Sequence, residues 1–201
     1  MSDTWVKEPL SVYLQQVYAG EWGAEPNPMN CVVYRSTDID DFGNIAGSGA
    51  PRRIATSKIL QKQIEVGDIL LEASGGGPDK PVGRSALVQS AHADNPATCS
   101  NFFLVLRPNK SNAHPRFLNH KLVWRYRQPE MLFFQQQTTG IINLKMQDFL
   151  AAPLSMPESP DIQSKIAEIL DTLDEAIRGT EAVVAKLDTR NNPLARGESG
   201  R

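Results

Sequence analysis

The segment Glu72-Ala73-Ser74-Gly75-Gly76-Gly77-Pro78-Asp79-Lys80-Pro81-Val82-Gly83-Arg84-Ser85 follows an apolar run and is the stretch best suited to meeting an anion. Consecutive glycines after a strand leave backbone N–H groups bare, and such loops cradle phosphates. A Walker-type loop needs four residues between its glycines and then Lys-Ser or Lys-Thr. Here five residues separate Gly77 from Gly83, and Arg84 follows. Gly47-Ser48-Gly49 lacks the third glycine of a dinucleotide fingerprint, and no acid stands at the required distance. What the glycines do permit is close approach of the backbone to DNA, with Ser74, Lys80 and Arg84 available for phosphate oxygens or base edges. A plain hairpin turn has the same composition, and the loop alone leaves both readings open.

The charge nearby shifts the balance toward a polyanion. Between residues 107 and 127 stand Arg107, Lys110, Arg116, Lys121, Arg125 and Arg127 without one Asp or Glu, interleaved with Phe117, Trp124 and Tyr126. Basic density with aromatics is the footprint of a surface that tracks phosphates, although a solvated charged face is the plainer alternative. The net charge of −2 conceals this, because residues 52–127 hold 12 Lys+Arg against 5 Asp+Glu while the rest holds 9 against 18. Catalytic groups are not assembled in the same way. His92, His114 and His120 lie in no catalytic motif, and there is no Gly-x-Ser-x-Gly, no His-Glu-x-x-His and no acid pair at motif spacing. Cys31 and Cys99 form no Cys-x-x-Cys pair and are expected to be reduced, structural thiols. The chemistry expected is recognition, with no catalytic residue, metal or cofactor in this chain.

These residues must be held by an ordinary globular domain plus an appendage, given 201 residues of which 40% are apolar. With no apolar run of about 18 residues and no secretory signal pattern, a cytoplasmic address is expected. Leu10, Tyr13, Leu14 and Val17 are spaced as one face of a helix ending at Gly20, followed by a turn-rich entry. Cys31-Val32-Val33-Tyr34, Ile69-Leu70-Leu71 and Ala86-Leu87-Val88 are short runs between Gly, Ser, Pro and Asp clusters, and read as strands. Phe102 to Leu106 is the strongest strand signal, closed by Pro108. Pro115 suits the first turn of a helix that gathers Arg116, His120 and Arg127 on one face and Leu118, Leu122 and Tyr126 on the other. The expected class is α+β, with a curled mixed sheet and flanking helices.

Ser159-Pro160-Asp161 opens a last helix with a cap, a proline at its first position and an acid in its first turn. Ile162, Ile166, Ile169, Leu173, Ala176, Thr180, Val183 and Leu187 then alternate at spacings of 4 and 3, the seam of a coiled coil. Leu170, Ile177 and Val184 widen that seam. At about 1.5 Å per residue the rod is about 46 Å long. Either it packs back onto its own core or its apolar line recruits a partner. The expected division is a domain over 1–157, a helix over 158–191 and a disordered tail over 192–201.

Several segments together resemble a target recognition domain of type I restriction-modification specificity subunits. They are Gly20-Glu21-Trp22-Gly23, Val66-Gly67-Asp68-Ile69-Leu70-Leu71 leading to Ser74-Gly75-Gly76, Val82-Gly83-Arg84, and Thr138-Thr139-Gly140-Ile141. Pro153-Leu154-Ser155-Met156-Pro157, Gln163-Ser164-Lys165-Ile166-Ala167 and Leu173-Asp174 extend the likeness over roughly residues 8–188. The resemblance implies a globular domain that grips duplex DNA and a spacer helix that pairs with another and docks methyltransferase subunits. It places S-adenosylmethionine in those partners and DNA cleavage in a separate motor subunit. By analogy the DNA contacts fall on Ser74, Gly75, Gly76, Gly77, Lys80, Arg84, Arg116, Lys121, Arg125 and Arg127. The helix interface falls on Ile162, Ile166, Ile169, Leu173, Ile177, Val183 and Leu187. Family members commonly carry two recognition domains and two spacer helices, whereas this sequence has one of each. A homodimer through antiparallel helices is therefore expected, with half of a split or truncated subunit, or an adaptor without DNA binding, as the alternatives.

Overall fold

Short apolar runs through the middle of the sequence, Ile69-Leu70-Leu71 and Phe103 to Leu106 among them, become short strands, while Leu132-Phe133-Phe134 lies in a 3₁₀ turn. A computed structural model describes residues 4–76, 80–90, 95–138 and 140–191. In chain order these form β1 (Trp5–Pro9), β2 (Leu14–Ala19), β3 (Cys31–Tyr34), β4 (Ala50–Arg52), α1 (Thr56–Lys62), β5 (Ile69–Glu72), β6 (Ser74–Gly76) and β7 (Ser85–Leu87). There follow β8 (Ala97–Cys99), β9 (Phe103–Pro108), α2 (Pro115–Tyr126), β10 (Gln135–Thr138), β11 (Ile141–Leu144), α3 (Met146–Ala151), β12 (Pro153–Pro157) and α4 (Pro160–Asn191). The class is α+β. Among the described residues the mixed sheet is divided into four small open ones, ordered β2-β9-β5-β7, β4-β3-β8, β10-β11-β6 and β1-β12. The expected tail, 192–201, lies outside the described residues, and no described helix is long and apolar enough to cross a membrane.

In the central sheet β5, β7 and β9 are buried on both faces, which explains their near-continuous apolar runs, while the edge strand β2 is largely exposed. Ile69, Leu71 and Leu106 face a core with Phe117, Leu118 and Leu122 of α2, Phe149 of α3, and Leu154 and Met156 of β12. Leu70, Ala86, Val105, Phe103 and Cys99 pack on the other side. Cys31 and Cys99 are free and buried, and burial pushes their thiols up to about 11 and about 12.

The expected N-terminal helix does not form. Leu10 and Tyr13 are the buried pair of a single 3₁₀ turn, and Leu14–Ala19 then pairs antiparallel with β9, Val17 opposite Leu106. A free edge of the central sheet satisfies the backbone of this stretch, and Val17 and Tyr18 fit a pleated surface better than a helix.

β1 pairs with β12, Trp5 opposite Pro157, so the chain's beginning braces the root of α4. The backbone N–H groups of Ile162 and Gln163 donate to Ser159 O as the helix opens. Gln163 is fully buried; its Nε2 donates to Asn112 O (2.9 Å) and Pro157 O (2.8 Å), and its Oε1 accepts from His114 N (2.7 Å). One polar side chain thus ties the helix to two loops of the domain. Gln163→Ala orphans these backbone groups and is expected to cost about 2–3 kcal/mol. Urea denaturation checks this, and a loss below about 0.5 kcal/mol would show that α4 is rooted by other contacts.

Further along, Ile166 and Ala167 join the core, and Leu170 faces Phe117 and Trp124 across a shallow groove. Asp171 accepts from Arg116 and from His120 Nε2 (2.8 Å), and Arg178 lies 5.6 Å from the ring of Phe42. At 100° per residue Ile169, Leu173, Val183 and Leu187 centre about 140° from these rooted positions, whereas Ile177 and Val184 fall at the angle of Ile166 and Leu170 and are exposed because they lie farther along the rod. All six are exposed. The stripe read as one seam divides: up to Asp174 one side of the helix is packed on the domain and the other is open, and residues 175–188 are exposed.

Candidate nucleic-acid interface

The glycine segment enters the structure as a strand. Ser74–Gly76 is the third strand of the β10–β11 hairpin, with Ser74 opposite Asn143 and Gly76 opposite Ile142. Gly75 is the extra residue between those two pairs, at φ +108°, a conformation that glycine alone takes without strain. A Cβ at position 75 would lie 3.8 Å from the ring of Phe102, which is itself exposed. Lys80 is exposed. Gly77, and with it Pro78, Asp79, His92 and Thr139, lies outside the described residues.

Arg84 is placed differently from what its position near a glycine loop suggests. Its side chain is 9% exposed and faces inward. Nε and Nη2 each donate to one oxygen of the buried Glu72 carboxylate, both at 3.1 Å, and Nη2 also donates to Ser36 O at 2.9 Å. Burial works against its charge, but the Glu72 carboxylate outweighs burial and holds its pKa above the ordinary arginine range. The geometry makes Arg84 a strut under the loop.

The basic stretch is likewise engaged by groups distant in sequence. Arg107 pairs with Asp68 (2.8 Å) and Glu65 (2.9 Å), so its guanidinium closes a strand end. Arg116 reaches Asp171 on α4. The Lys121 ammonium sits 4.9 Å from the Trp124 ring, and burial, then Arg125, lower its pKa. Arg125 turns toward β12, donating to Pro153 O with its guanidinium over Phe149, and burial lowers its pKa too. Arg127, exposed, donates to Asp41 O at 2.8 Å beside Phe42. Lys110 is exposed beside Gly67.

The expected residues fall into two groups. Ser74, Gly75, Gly76 and Lys80 stand at one rim, where Tyr126 Oη donates to Pro81 O, and Asp41 links Arg84 with Arg127. Arg116 and Lys121 belong to the seat of α4. Sequence reasoning missed a polar face at the rim. Register pairs place Gln136 opposite Asn143, and Asn143 opposite Ser74, so the three share one face of a sheet whose strands carry no charged residue. The signal available was Gln135-Gln136-Gln137, three amides in a row before Thr138.

Comparison with known proteins places this arrangement. The profile of the type I restriction modification DNA specificity domain matches residues 47–188. The fold is similar to that of a type I restriction-modification system S subunit from M. genitalium, at TM-score 0.56 and 15% identity, covering 92% of this chain and 42% of that one. A chain from a structure of complex assembly and conformational transition in the type I R-M system gives TM-score 0.66 and 17% identity over 96% of this chain and 44% of that one. The HsdS subunit from Thermoanaerobacter tengcongensis gives 0.56 and 17% over 91% and 40%. This chain spans less than half the length of each of these. No curated protein matches it in sequence. With 142 of its 201 residues under the family profile, the chain belongs to the type I restriction modification DNA specificity domain family.

Proposed function

We propose that this chain binds DNA sequence-specifically and directs partner methyltransferase subunits of a type I restriction-modification system to their target, performing no chemistry itself. The observation that carries this reading is the division of α4: its first turns are rooted in the domain, and it presents Ile169, Leu173, Ile177, Val183, Val184 and Leu187 uncovered by any described residue. Six large apolar side chains left in water on one rod are the signature of an interface. A second copy, antiparallel, covers the stripe and sets two recognition domains at the two halves of an interrupted palindrome. S-adenosylmethionine belongs to the methyltransferase, and a restriction motor subunit is a further partner of the same assembly.

Duplex binding by the full chain, alone and with its methyltransferase, tests the reading. Phosphate contacts release counterions, so affinity is expected to fall at least about tenfold between about 50 and 200 mM salt. No duplex affinity at low salt, even with the partner present, would overturn it. The pairing of Arg84, Arg107 and Arg116 with internal carboxylates favours a second reading, an interaction adaptor that has lost DNA binding, and the same titration separates the two.

A further inference from the structure

We propose that the β10–β11 hairpin is a base-reading ribbon, and that Gln136 reads an adenine edge from it. This rests on the DNA-binding role argued above and adds the side chain that selects the base. Two adjacent glutamines show the division of labour. Gln135 points inward: its Nε2 donates to Val82 O and Met131 O (both 3.1 Å), and its Oε1 accepts from Val82 N (3.0 Å). Leu144, opposite Gln135, is buried on the same side. Gln136 stands on the other face and is exposed.

The surroundings of Gln136 suit a base pair. Across the ribbon stands Asn143, and the Ser74 hydroxyl donates to Asn143 Oδ1 at 2.6 Å, which holds that amide in place beside it. Two residues along on the same face, Ile141 is exposed and offers a methyl-sized apolar contact. A carboxamide offers one donor and one acceptor in a plane, the complement of adenine N7 and N6–H₂, and an aliphatic group suits the thymine methyl. The major groove, about 12 Å wide, admits a two-stranded ribbon. No carboxylate on β6, β10 or β11 repels the flanking phosphates, Lys80 stands exposed at the edge, and the missing side chain of Gly75 lowers the ribbon's shoulder.

The experiment is selection from a randomised duplex library by the full chain together with its methyltransferase. Wild-type protein is expected to enrich one consensus. Gln136→Ala should enrich the same consensus with one adenine position degenerate, discrimination there falling about tenfold to a hundredfold while the other positions hold. Gln136→Glu should turn that position toward cytosine, because a carboxylate accepts from the N4 amino group. Both substitutions are on the surface, and an unchanged thermal midpoint confirms that the fold is kept. An unaltered consensus in both variants overturns the proposal, as does an equal loss of affinity for all sequences, which would make Gln136 a phosphate contact. If wild-type protein enriches no sequence, the DNA-binding role itself fails, and this proposal with it.

Discussion

Replacing Ile169 and Leu173 together by Asp is expected to abolish association of the chain with itself while leaving its recognition domain folded. Both residues are more than half exposed and sit on the open side of α4, away from the residues that root the helix. In a monomer two carboxylates there stay in water at little cost; in a paired coil they would be buried opposite an apolar partner, at several kcal/mol. Light scattering at micromolar concentration should show a dimer for the wild type and a monomer for the variant, which keeps its folded circular dichroism and a cooperative thermal transition. A wild-type monomer, with or without methyltransferase, would sink the pairing. Cooperative loss of circular dichroism in the variant would show that the open face belongs to the core after all.

The second large effect is structural. Arg84→Ala should destabilise the domain by about 3–5 kcal/mol, because it strands the Glu72 carboxylate, whose side chain is 7% exposed, without its guanidinium. That is a large share of the roughly 5–15 kcal/mol that holds a domain folded. Arg84→Met combined with Glu72→Leu removes both charges, leaves no carboxylate stranded, and should recover most of the loss. Chemical denaturation of the two single variants and the double gives the coupling directly. A cost under about 1 kcal/mol for Arg84→Ala would mean that water reaches Glu72 and that the arginine is not a strut. Any fall in DNA binding by Arg84→Ala therefore has to be measured below its unfolding midpoint, where lost stability is not mistaken for a lost contact.

What the sequence discloses, and what it hides, follows from how far apart the interacting residues lie. The strands over 31–34, 69–72 and 103–108 and the helices starting at Pro115 and Pro160 are written in local runs, caps and prolines, and they form where those signals stand. Leu10, Tyr13, Leu14 and Val17 mimic a helix because one 3₁₀ turn supplies the first spacing and a strand happens to continue it; only the free edge of β9 decides the matter, and β9 is about 90 residues away. Charge counting has the same blindness. Residues 107–127 contain no acid, yet Asp68, Glu65 and Asp171 come to them from other elements. Gln163, a lone amide within a helical repeat, gives no hint that it anchors two loops.

The side chains that root α4 in the domain and the apolar ones it leaves exposed are different residues, so either set can be substituted while the other is kept. Gln136 is separate from both, out on a hairpin. On the function proposed above, companion choice and target choice would then be heritable independently: a lineage could drift to a new word in the genome while keeping its old associates, or change associates while still spelling the same word.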